Sequence, residues 1–325
     1  MRDDIVVGIL GATGALGSEI LKQLHKVSWR PSKIVPFASA ATTVQFVEYG
    51  DEQVAVEDSR YLDMGNLDLL VVATPQEVAK PIVSEAVRYG LPVVDCSGSL
   101  GEEMGWLVPW INPESLEKSV DLRLISLPSA AALLVASVAG PLARGGIVGV
   151  VDATVMLGAS IWGQAGTAEL SSQVISLFNS GTPPRKVFED GLAFDLLPAV
   201  GGTGPSGWTL QEVAVSRQCK ALTGQPVVAT SLVGVPLFTG IAASVTISPN
   251  VKASVQDVTT LLTSGGVRAT EHPSACRPRA IDGESFAHFS RIRIDDLGRI
   301  CLWASMDNLT TTATAAIASA TALLK

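Results

Sequence analysis

Charge is scarce in this chain. Only 17% of its 325 residues are charged and 5% are aromatic, and histidine occurs three times. With 47% hydrophobic residues, that scarcity argues against disorder and for a compact globular protein. Basic residues are outnumbered, 23 against 31 acidic ones, and the net charge of -8 makes nucleic acid or an anionic membrane an unsuitable partner. The four cysteines, Cys96, Cys219, Cys276 and Cys301, form no CxxC pair, so no zinc or other metal site is expected and a reducing compartment fits. No apolar run reaches the length of a bilayer span. Met1-Arg2-Asp3-Asp4 leads straight into a short strand without a signal-peptide core, so a cytoplasmic protein is expected. Two gaps are positional: there is no cysteine between Gly101 and Cys219, and no histidine between His25 and His272.

Glycine, by contrast, is plentiful, and near the N-terminus it is regularly spaced. The stretch from Val6 to Leu21 contains Gly11, Gly14 and Gly17 between an apolar run and an amphipathic start. It predicts a buried strand turning sharply into a helix, with amides at the helix N-terminus free to hold a phosphate. At 325 residues two domains are expected. Helix character runs from Ser18 to about His25, with Glu19, Lys22 and Gln23 on the wet side and His25 read as a surface helix residue and not a ligand. Lys33–Ala38 reads as a second strand, Leu67–Pro75 as a third, Glu77–Tyr89 as a helix, and Leu91–Ser99 as a strand with a polar loop. Leu122–Leu127 is a further strand, leading into an Ala-rich helix over Ala130–Ala139. Alternating strands and helices predict a doubly wound parallel sheet.

From Ile147 the texture changes to β segments with partial alternation, at 147–157, 226–233, 243–247 and 291–295, separated by long connections. Such an α+β second domain commonly presents a sheet face to a twin subunit, so a homodimer is expected. The segment from Asp307 to Leu324 reads as a helix packing back on the first domain; its Thr and Ala content needs tertiary support. A nucleotide site would also place an acid or an arginine after the second strand. Here Ser39-Ala40-Ala41-Thr42-Thr43 supplies neither.

The chain resembles the aspartate-β-semialdehyde dehydrogenase family from end to end. The resemblance is carried by Gly11 to Gly17, Val93-Val94-Asp95-Cys96-Ser97, Val108 to Glu114, Gly234-Val235-Pro236-Leu237-Phe238-Thr239-Gly240, Arg291-Ile292-Arg293 and Leu302 to Leu309. It implies a Rossmann-like doubly wound domain over 1–130 with the C-terminal helix 307–325, and an α+β dimerisation and substrate domain over 131–306. It also implies a cofactor, NADP or NAD, contacted by Gly11, Thr13, Gly14, Ala15, Leu16 and Asn308. The family's reaction uses a cysteine thiolate on the aldehyde or acyl phosphate, a histidine to shuttle the proton, and hydride transfer to the nicotinamide.

At the positions that the resemblance assigns to this chemistry, the residues are different. Ala130 stands at the nucleophile position, Ile241 at the base position, Gly234 at the carboxylate-clamp position, and Ser160 at that of the orienting glutamine. Phosphate-binding basic residues are expected near Gly101 and at Ala214 or Val215, with Arg217 the nearest base, and the 2′-phosphate arginine falls at Ala41. Glu212 alone keeps a substrate-side carboxylate. The pattern is most like the Usg-type paralogues, which keep the scaffold without the site.

Several residues have a plain reading beside a sharper one. Cys96 is a replacement nucleophile or an inert loop cysteine, and Glu212 a ligand contact or an exposed helix residue. His272 and His288, in an Arg-rich region, read as surface or ion-pair residues, and Trp106 and Trp110 as packing or interface aromatics. Three functions follow: a non-catalytic paralogue binding a protein or small molecule, an NAD(P)-dependent oxidoreductase of altered mechanism with weak dinucleotide affinity, or a structural homodimer.

Overall fold

The computed structural model describes residues 4–42, 44–224 and 227–325. Met1, Arg2, Asp3, Thr43, Gln225 and Pro226, named in or beside several expectations above, lie outside the described residues. The chain divides into two compact units, residues 1–129 with 312–325, and residues 130–311.

The first unit is built on a parallel sheet. In chain order its strands are β1 (Val6–Leu10), β2 (Lys33–Ala38), a separate hairpin of β3 (Phe46–Tyr49) and β4 (Glu52–Ala55), then β5 (Glu57–Asp58), β6 (Leu69–Val72), β7 (Val93–Asp95) and β8 (Leu124–Ser126). The sheet order is β5-β2-β1-β6-β7-β8, every pairing parallel. Leu69, Leu70, Val71 and Val72 are all buried, as expected of a strand covered on both faces. The helices α1 (Ala15–Leu24), α2 (Gln76–Tyr89), α3 (Gly101–Met104) and α4 (Leu116–Asp121) connect these strands. The C-terminal part of α9 (Asn308–Leu323) belongs to this unit, where Thr321 Oγ1 accepts from Trp29 Nε1 at 2.8 Å and Thr314 Oγ1 donates to Gln23 Oε1 at 3.0 Å.

The second unit centres on a mixed sheet of β9 (Val148–Leu157), β10 (Val227–Gly234), β11 (Ile241–Pro249), β12 (Arg268–Ala269), β13 (His288–Ile294) and β14 (Ile300–Met306), in the order β10-β9-β11-β14-β13-β12. Against it pack α5 (Ala130–Arg144), with every residue from Ala131 to Leu142 buried, and α8 (Val255–Ser264). The long connection expected after Leu157 holds two helices, α6 (Gly163–Phe178) and α7 (Leu210–Thr223). In α6 the inward face mixes Gly166 and Leu170 with two polar residues: Glu169 accepts from the amides of Lys186, Val187 and Phe188, each at 2.9 Å, and Gln173 Oε1 accepts from those of Leu192 and Ala193. Burial raises the Glu169 pKa, but these amides and Gln173 outweigh it and hold the carboxyl below its usual range.

Candidate functional site

In the first unit the glycine turn has the geometry its spacing predicts. Gly11 has a φ of 85°, and the amides of Gly11 and Ala12 both donate to the Phe37 carbonyl, at 2.9 and 3.2 Å. A Cβ on Gly11 would stand 2.6 Å from Ala73 O, and one on Gly17 would run into Gly11 O. Both glycines are therefore demanded by packing. Gly14 differs: only Gly11 O lies within 4 Å of a Cβ built there, among the described residues. Gly14 caps α1 without a side-chain hydrogen bond, so the amides opening the helix at Ala15 and Leu16 form an anion cradle beside Thr13. The cradle fits a pyrophosphate. Asn308, the remaining expected cofactor contact, lies in the second unit, and its Oδ1 accepts from Ser160 Oγ at 2.9 Å and from Gly240 N at 3.0 Å.

Ser39, Ala40 and Ala41, after β2, are exposed and uncharged. Parallel pairing, however, sets Asp58 of β5 beside Ala38, and Asp58 accepts from Arg60 N at 2.9 Å and Arg60 Nη2 at 2.6 Å. The guanidinium holds the Asp58 carboxyl below its usual range. A charged pair thus flanks the end of β2. Sequence reading missed it because β5 is two residues long and reaches β2 only through the sheet.

At the ends of β7 and β8, Asp95 is fully buried and accepts from the amides and hydroxyls of Ser97 and Ser99 at 2.6–3.0 Å. Cys96 is half-buried beside Asp95, and burial first, then the Asp95 charge, push its thiol above its ordinary pKa. A Cβ on Gly101 would land within the Trp106 indole. The room that a phosphate-binding side chain would need there is taken by Trp106, in keeping with a packing role.

In the second unit the expected site positions gather at one end of the mixed sheet. Gly234 of β10 and Ile241 of β11 both stand in register with Leu157 of β9. Ile241 is fully buried. The 158–160 turn is stitched to the following loop by Ala159 N to Leu237 O at 2.7 Å and Ser160 N to Phe238 O at 2.9 Å, and Asn308 clamps Ser160 to Gly240. Gly234 exchanges two backbone hydrogen bonds with Leu197, whose side-chain carbons lie 3.1–3.3 Å from a Cβ built on Gly234. Leu197 is held there by the apolar cluster of Ala159, Leu170, Phe188 and Leu192. Ala130 is the first residue of α5, and Ala132 O, in the same turn, accepts from Cys219 Sγ on α7 at 3.7 Å. Burial pushes the Cys219 thiol up to about 12.

Glu212 is not an exposed helix residue: it is 7% exposed. Its Oε2 accepts from Thr209 N at 2.9 Å within a capping box, and its Oε1 accepts from Leu232 N at 3.0 Å on β10. Its carboxylate therefore ties α7 to the sheet. His288 is likewise not a surface residue. It is 8% exposed, its Nε2 lies 3.9 Å from Glu284 Oε2, and its ring nitrogens have no hydrogen-bond partner among the described residues. His25 is partly buried at the end of α1, edge-on to Tyr49. His272 is exposed, with Nδ1 2.6 Å from Ser274 Oγ. Among the described residues no group of three His, Cys, Asp or Glu could hold a metal, and no helix is long and apolar enough to cross a membrane.

A doubly wound unit with a glycine turn after its first strand, followed by a mixed-sheet unit, is a two-unit architecture of the nucleotide-binding α/β class. The description "Semialdehyde dehydrogenase, NAD binding domain" matches residues 6–119, and "Semialdehyde dehydrogenase, dimerisation domain" matches residues 140–311. The chain belongs to the semialdehyde dehydrogenase family. It is similar to an aspartate-semialdehyde dehydrogenase of Rickettsia bellii, 27% identical over 312 residues that cover 93% of this chain and 92% of the relative. It is equally similar to a USG-1 protein homolog of Azotobacter vinelandii, 27% identical over 320 residues, with 95% and 94% covered. Its fold is that of an aspartate semialdehyde dehydrogenase II from Vibrio cholerae, with a TM-score of 0.92, 22% identity and 99% and 98% of the two chains covered.

Proposed function

We propose that this chain is a non-catalytic member of its family, a homodimeric binding or regulatory paralogue that has lost the dehydrogenase reaction. One observation carries the reading: Ala130, Ile241 and Gly234 stand at the positions that the resemblance assigns to the thiol, the imidazole and the carboxylate clamp, and Leu197 packs into the room beside Gly234. The Ser160 hydroxyl is committed to Asn308, and the Glu212 carboxylate to its cap and to β10. Ala130 offers only a methyl group, which can form neither a thiohemiacetal nor a thioester. If each missing group costs about 2 kcal/mol of transition-state stabilisation, the combined loss removes most of the rate enhancement, even though such losses are not additive. The dimerisation domain supports a homodimer.

A second reading is favoured by the cradle itself. The start of α1, which Gly14 caps without a side chain, supports weak binding of NADP or NAD, with the pyrophosphate on the amides near Thr13, Ala15 and Leu16. Were this binding coupled to a carbonyl substrate, the chain would be an oxidoreductase of altered mechanism. Calorimetry with NADPH tests the binding. The non-catalytic reading expects weak or no affinity, and micromolar affinity with hydride transfer to a semialdehyde would replace it by the oxidoreductase reading.

A further inference from the structure

The glycine turn of the first unit is bound to the end of β2: the amides of Gly11 and Ala12 hold the Phe37 carbonyl, one residue before Ala38 closes the strand. A dinucleotide whose pyrophosphate rests on the start of α1 leaves its adenosine ribose over that strand end. There β2 offers only the Ala38 methyl and the uncharged residues 39–42. An acid comes instead from the neighbouring strand. Asp58 stands in register with Ala38 across the parallel β2 and β5 pair, so the two side chains leave the same face of the sheet one strand spacing, about 4.8 Å, apart. The Asp58 carboxylate is partly exposed, and three N–H groups of Arg60 fall on it: the amide at 2.9 Å, Nε at 3.0 Å and Nη2 at 2.6 Å. A carboxylate accepts about four such bonds, which leaves one direction for a ribose hydroxyl.

Arg60 is itself committed. Beside its bonds to Asp58, its guanidinium carbon stands 5.9 Å from the centre of the Tyr61 ring, so both neighbours hold the arginine where it fixes the carboxylate. The surrounding charge points the same way. From Ser39 to Asp63 the sequence carries six carboxylates, and Arg60 is its single base. That field opposes a 2′-phosphate, which brings a further charge of about -2, and leaves a 2′-hydroxyl untouched. We propose that Asp58, positioned by Arg60, receives the adenosine ribose and makes this chain selective for NAD over NADP. The proposal rests on the reading that the cradle binds a dinucleotide, and it specifies which one.

The test is calorimetric titration of the full-length protein with NAD and, separately, with NADP. The wild type is expected to bind NAD about tenfold or more tightly than NADP. Asp58 caps the short turn at Arg60, and Asp58→Asn keeps an acceptor for that amide while removing the charge. In this variant the preference is expected to fall to about threefold or less, through weaker NAD binding and stronger NADP binding. Arg60→Gln keeps the acid, and its preference for NAD is expected to stay or to widen. A structural role alone would weaken both nucleotides together and leave the ratio where it was. A wild type that binds NADP as tightly as NAD, or an Asp58→Asn variant with an unchanged ratio, overturns the proposal and leaves the dinucleotide site standing. Binding of neither nucleotide by the wild type overturns both.

Discussion

Leu197 and Gly234 exchange both of their backbone hydrogen bonds, at 3.0 and 2.9 Å, and the leucine side chain fills the space into which a larger residue at 234 would project. An arginine that clamps a carboxylate needs that space. Gly234→Arg is therefore expected to destabilise the protein by about 1–3 kcal/mol through overpacking. Adding Leu197→Ala relieves the clash, so the double variant is more stable than the sum of the two single changes. Urea denaturation of the four proteins measures the coupling, and strict additivity contradicts the plug.

Glu212 holds one amide at the start of α7 and another on β10. Glu212→Ala loses the cap and orphans the buried Leu232 amide, for an expected cost of about 2–4 kcal/mol. Glu212→Gln keeps an acceptor oxygen and loses less. A neutral alanine variant in urea denaturation would return Glu212 to the role of a ligand contact.

His288 supplies a pH dependence. Burial lowers its pKa, Glu284 opposes that, and Arg268 adds to it. The unfolded chain therefore takes up the imidazole proton more readily than the fold does. Its contribution to stability is complete above the ordinary histidine value of about 6.5 and is lost as pH falls through the lowered folded value. His288→Phe should flatten this part of the stability profile as pH falls below about 6.5, while Glu169, whose pKa is also lowered, keeps its own loss below about pH 4.5. Chemical denaturation midpoints across that range check it, and an unchanged slope in the variant would contradict the assignment.

The cradle can be tested apart from the chemistry. A Cβ at Gly14 would meet only Gly11 O, at 3.3 Å, and aspartate is a favoured N-cap, so Gly14→Asp should alter stability by less than about 1 kcal/mol while placing a negative charge at the anion site. Any NADPH binding seen by calorimetry should fall by about tenfold or more. Equal binding by the variant would place the dinucleotide elsewhere.

The first unit was legible because its strands are continuous apolar runs and its glycines carry specific geometric demands. The end of Lys33–Ala38 was read correctly as uncharged, yet the Asp58 and Arg60 pair beside it came from a two-residue strand that no periodicity marks. In the second unit, α6 was hidden because two of its four buried residues, Glu169 and Gln173, bind loop amides and break up the apolar stripe. Thr209 and Glu212 already have the spacing of a capping box. Reading Glu212 by resemblance alone obscured that structural role. The Leu197 plug could not be foreseen, since its partner Gly234 is 37 positions away and glycine does not name its neighbour.

The central claim is tested most directly by mixing the purified protein with aspartate semialdehyde, phosphate and NADP and following the absorbance of reduced nicotinamide. The expected result is a rate indistinguishable from that of buffer at enzyme concentrations where a catalytic aspartate-semialdehyde dehydrogenase completes the reaction. Sustained turnover proportional to the concentration of this protein would contradict the account.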